Sequence, residues 1–146
     1  MFTLSSPLSI SALVIGISAA AALFFMRPAR WSWRTFLAAI LPSLLMLTLF
    51  CSLAIHIHGS LGGWPESIGE CGFPRNLVVH AHVTMGYFMF LVLSGLFVWP
   101  AAFLVCLAIR RWRSALFHLG VHALAFFACL GAMQLAPPLF LNWWWD

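Results

Sequence analysis

Met26-Arg27-Pro28-Ala29-Arg30-Trp31-Ser32-Trp33-Arg34 and Ile109-Arg110-Arg111-Trp112-Arg113-Ser114 decide the fold of this chain. They hold six of its seven cationic side chains, all arginine, and each stretch divides two long apolar runs. A charge is too costly to leave in hydrocarbon, so the clusters mark loops between membrane spans, and loops rich in arginine stay on the cytoplasmic side. Working outward, runs of about the 20 apolar residues that a crossing helix needs fall at 8–26, 35–55, 84–107 and 115–136. The expectation is an all-α membrane protein: a four-transmembrane-helix bundle forming one domain over 1–146. Both termini and the 56–79 connection then lie outside (N-out/C-out).

Composition agrees. Apolar residues make up 64% of the chain and charged residues 7%, against roughly 25% charged in a soluble domain. Mean hydropathy is +1.03. The net charge of +4 is not a nucleic-acid footprint, because the arginines are committed to membrane-flanking loops and anionic headgroups. The first run has small residues at Ala19 to Ala22, as a cleavage site would. Its charges follow the apolar stretch instead of preceding it, so it is expected to be retained as a span.

Trp31, Trp33 and Trp112 fall in the arginine loops, whereas Trp64 and Trp143 to Trp145 fall at the other face. Such belts anchor a protein at headgroup depth. Ala12, Gly16 and Ala20 form a stripe of small residues that permits close helix approach, within the bundle or in a homodimer. Pro42 and Pro100 each remove a backbone hydrogen bond within a span and are expected to kink it.

The third apolar stretch, Leu77 to Ile109, is 33 residues, about 50 Å as a helix, against a hydrocarbon core of about 30 Å. Arg110 and Arg111 hold its cytoplasmic end, so the excess lies outside and carries His80 and His82 with it. His56 and His58 close the second span, which gathers four of the six histidines on the outer side around Glu66, Glu70 and Cys71. Imidazole, carboxylate and thiolate are ordinary ligands of zinc and copper, and Met85 adds a thioether suited to Cu(I). A metal site drawn from His56, His58, His80, His82, Cys71 and Met85, taking copper or zinc, is the sharpest expectation. Geometry limits it: helical residues two apart point about 200° from each other, so one histidine of each pair could face a given ion. No HExxH or CxxC string is present. Histidines also gather at membrane interfaces because they are amphipathic.

His118 and His122 lie i, i+4 on the fourth span, a polar face inside the membrane. No other span offers a histidine at matching depth, which disfavours a haem held between helices. Either a proton or redox relay or a structural hydrogen bond accounts for them. Cys106 and Cys129 lie within spans, and a Cys51–Cys71 bridge on the outer side is conceivable. No nucleophile–base pair, phosphate-binding glycine loop or chain of intramembrane carboxylates marks an enzyme of ordinary kind.

The Leu61-Gly62-Gly63-Trp64-Pro65 stretch after the second span and the terminal Asn142-Trp143-Trp144-Trp145-Asp146 resemble small uncharacterised four-helix membrane proteins of bacteria. That resemblance implies the same architecture and a bacterial inner (cytoplasmic) membrane, and brings no activity or ligand with it. Three functional readings follow. One is an accessory or scaffold subunit, as a homo-oligomer or in a larger membrane complex; one is a copper- or zinc-binding protein; one is a redox or proton-relay component using His118 and His122.

Overall fold

The computed structural model describes residues 32–65 and 72–146. The first expected span, 8–26, with its Ala12, Gly16 and Ala20 stripe, lies outside the described residues, as do Cys71, Glu66 and Glu70. Five α-helices are described: α1 (Trp33–Leu61), α2 (Arg75–Leu93), α3 (Trp99–Ala108), α4 (Ala115–Met133) and α5 (Pro138–Trp145). A π turn, Ser94–Val98, joins α2 to α3, and a 3-10 turn, Arg110–Trp112, precedes α4. Among the described residues, three helical stretches are long and apolar enough to cross a membrane: Trp33–Leu61, the continuous Arg75–Ala108, and Ala115–Met133.

The second helix outruns its expected 35–55 span because nothing breaks it before Gly62, whose φ of 69° ends it in the left-handed conformation that glycine adopts freely. The 29 residues of α1 extend about 44 Å, past both edges of a bilayer core. The third helix likewise starts at Arg75, well before the expected 84, directly after Pro74. His56, His58, His80 and His82 are therefore helical residues, and the connection shrinks from 56–79 to 62–74. The fourth helix ends at Met133 instead of 136. Pro137 and Pro138 then open the short α5, as proline at a first helical turn favours.

The π turn has a local cause in Pro100. Without an N–H, Pro100 cannot bond to the Leu96 carbonyl one turn back, and its ring would crowd that oxygen. The chain widens there, so that the Trp99 N–H reaches the Ser94 carbonyl five residues back.

α1 is the central element and packs against α4 and α2. Its buried residues Ser43, Met46, Phe50, Leu53 and Ile57 step by three and four, as do Leu77, Ala81, Thr84, Phe88 and Leu91 of α2. That 3.5-residue repeat keeps one seam between two helices in contact along its length. α5 closes the histidine end of the seam: Phe140 and Trp144 are buried against Phe50, with ring centroids 5.1 and 5.2 Å away. Trp144 thus belongs to the core and not, as the interfacial belt would have it, to the lipid boundary. At the opposite end lie Arg34, Arg110, Arg111 and Arg113, all exposed.

Candidate functional site

Polar side chains gather at two places along the bundle, one near each end. At the histidine end, α1 and α2 bring His56 and His80 together, Nδ1 to Nδ1 at 2.9 Å, both half-buried. Ser52, one turn before His56, lies 3.1 Å from His80 Nε2, and Asn76, one turn before His80, lies 3.5 Å from His56 Nε2. The proton order follows from the serine. Ser52 Oγ donates its only hydrogen to the Leu49 carbonyl at 2.8 Å, so it accepts from His80 Nε2–H. A neutral His80 then has a bare Nδ1, which accepts from His56 Nδ1–H, and His56 Nε2 accepts in turn from the Asn76 amide. One directed chain runs from Asn76 through both imidazoles to the α1 backbone.

The remaining members of the expected metal set stand apart from that pair. His58 packs tilted against Trp64 at 4.8 Å between centroids, and the Nδ1–H of His82 donates to the Val78 carbonyl of its own helix at 2.8 Å. Met85 is half-buried against the core, and Cys71 lies outside the described residues. Among the described residues no third His, Cys, Asp or Glu joins His56 and His80 in a ligand group. Two nitrogens 2.9 Å apart would sit about a right angle apart around an ion at the usual Zn–N distance of about 2.0–2.1 Å. The pair can therefore share a proton or serve as two ligands, with Ser52 then holding the far side of the His80 ring as second partners of metal-bound histidines do.

Toward the arginine end, α4 runs parallel to α1 and docks two histidines on it in register. His118 Nε2 lies 2.9 Å from Thr35 Oγ1, and His122 Nδ1 lies 2.9 Å from the Ala39 carbonyl. Thr35 donates its hydrogen to the Ser32 carbonyl, so His118 Nε2–H is the donor across the helices. A carbonyl only accepts, so the hydrogen of His122 is on Nδ1. Two further donors cross between helices: Tyr87 Oη–H to the Pro42 carbonyl at 3.1 Å, and Trp99 Nε1–H to the Leu119 carbonyl at 3.0 Å. Two cavities meet at His122. One, of about 450 Å³, is floored by Ala38, Ala39 and Ala115 between α1 and α4. The other, of about 350 Å³, lies between α4 and the π turn.

Ser52 and Asn76 escaped the sequence reading, although each stands four residues before a histidine on the same helix face. Thr35 and the Ala39 carbonyl had no sequence signal, since their partners are 83 residues away. No known protein family, curated protein or solved structure matches the chain.

Proposed function

We propose that this chain is a small integral membrane protein of the bacterial inner membrane that works as a non-catalytic subunit of a membrane assembly, with a second copy of itself as the simplest partner. The observation that carries this reading is the half-helix from Leu93 to Val105. Leu93, Leu96, Phe97, Val98 and Leu104 are all more than half exposed, and the π turn buries no residue. Gly95 is exposed among them, which leaves room for another backbone to come close. Four polar side chains of the spans are meanwhile engaged within the chain: His118, His122, Tyr87 and Trp99 each bond to a neighbouring helix. This supports holding helices together over relaying protons. Oxidative cross-linking in membranes tests the reading, using Phe97→Cys in a Cys51→Ser, Cys71→Ser background. Phe97→Cys should give a disulfide-linked dimer, while a cysteine at exposed Leu41 on α1 should not. Monomers by native mass spectrometry together with no cross-link at 97 would overturn it.

A second reading, transition-metal binding, is favoured by the 2.9 Å approach of His56 Nδ1 and His80 Nδ1 from different helices. The purified protein should then take up zinc or copper. His56→Ala with His80→Ala should lower uptake at least 10-fold, the size of loss seen when metal-site partners are removed. His58→Ala with His82→Ala should leave it unchanged. Equal metal content in all three proteins by elemental mass spectrometry ends the metal reading.

A further inference from the structure

The cavity of about 350 Å³ beside the π turn has walls of one chemistry and a single polar group of another. Val92, Trp99, Phe126 and Phe127 enclose it, and exposed Gly95 and Leu96 form its margin toward the surrounding lipid. The indole N–H of Trp99 is already spent on the Leu119 carbonyl. That leaves His122, which also lines the cavity. Its Nδ1–H is held by the Ala39 carbonyl at 2.9 Å, so in the neutral ring Nε2 carries a bare lone pair. The two ring nitrogens direct their bonds to nearly opposite sides, so Nε2 is turned away from α1. It has no hydrogen-bond partner among the described residues.

From this we infer that the cavity is a binding site for the hydroquinone headgroup of an isoprenoid quinol. Volume is the first argument. A cavity of about 150 Å³ admits benzene, and pockets for small ligands begin at about 300 Å³, so this one holds a substituted single ring. Shape is the second, because Trp99, Phe126 and Phe127 offer aromatic surfaces to a planar ring. Hydrogen bonding is the third and selects the redox state. His122 Nε2 is an acceptor, as is any backbone carbonyl that Pro100 leaves without its donor, so the site recognises a hydroxyl, which the hydroquinone has and the quinone lacks. An acyl chain in the same place would leave the lone pair unpaired, and a charged headgroup is too costly at this depth. His122 lies seven residues into α4, about 10 Å from its arginine end, within the hydrocarbon core where a quinol headgroup can reach it. The inference concerns binding alone, and it shares Gly95 and Leu96 with the face proposed above for a second copy, so a partner seated there would close the mouth of the cavity.

The test is anaerobic calorimetric titration of the full-length protein in detergent with duroquinol and, separately, duroquinone. Duroquinol should bind at least 10-fold more tightly. His122→Asn keeps an N–H for the Ala39 carbonyl, while its own acceptor, Oδ1, falls short of the Nε2 position, and it should erase that preference without altering the thermal midpoint. Gly95→Leu should abolish binding with the fold intact, since a Cβ added at Gly95 meets no atom within 4 Å and a longer side chain there can occupy the cavity mouth. Equal binding of the two redox forms, binding of neither, or a preference that survives His122→Asn would each overturn the assignment.

Discussion

Tyr87 shows how single side chains hold this bundle. Apolar surface gains little by leaving lipid for another helix, so close packing and interhelical polar contacts decide which helices stay together. Pro42 removes the N–H that would serve the Ala38 carbonyl, and on either side of that gap the Ala39 and Pro42 carbonyls receive donors from His122 and Tyr87. Tyr87→Phe should cost about 0.6 kcal/mol and at most about 1.7 kcal/mol, the range measured for such bonds between membrane helices, when unfolding is followed in mixed micelles. A cost indistinguishable from zero would mean that the Pro42 carbonyl is equally well served without it. The histidines obey a similarly local rule. Residues two apart on a helix face away from each other, so His56 meets His80 while His58 and His82 turn to Trp64 and to their own backbone.

Among the elements, α5 contributes far more than its eight residues suggest. Its buried Phe140 and Trp144 fill the gap that α1 and α2 leave at the histidine end, where Phe50 and Phe88 meet the Trp144 ring edge-on. Phe140→Ala should destabilise the protein by about 3–5 kcal/mol, as cavities left by core aromatic residues do. Leu139→Ala, at a position more than half exposed, should stay within about 0.5 kcal/mol. Thermal melts of the two variants in one detergent decide the matter, and equal midpoints would place α5 outside the cooperative core. Runs of tryptophan near a chain end read as membrane anchors because composition alone does not say which face a ring presents. Here Pro137 and Pro138 start a helix, and helical spacing turns Phe140 and Trp144 to the same side.

At the scale of the whole molecule, the arginines predict orientation. Arg34 lies at the same end of the bundle as Arg110, Arg111 and Arg113, because α1 and α4 run parallel. With that end held in the cytoplasm, an alkaline phosphatase fused after Asp146 should be active. A fluorescent protein fused there through the general secretory route should stay dark. The reverse pattern would refute the outward placement of the C-terminus. Replacing Arg27, Arg30, Arg34, Arg110, Arg111 and Arg113 by asparagine should remove the preference for one orientation, since lysine and arginine near span ends set it.

The chain alone was enough to mark the apolar runs from 35 onward and the arginine-bearing turn between the last two described spans, because the cost of charge in hydrocarbon acts on each residue without reference to any other. The first run lies outside the described residues. The extension of α1 to Leu61 and the π turn follow from Gly62 and Pro100, which are local features of the chain. The pairing of His56 with His80 was decided by tertiary structure. So were the burial of Trp144 and the locking of His122 onto the Ala39 carbonyl. Each of these depends on which helix comes to lie beside which, over separations of up to 83 residues, and no local pattern records that.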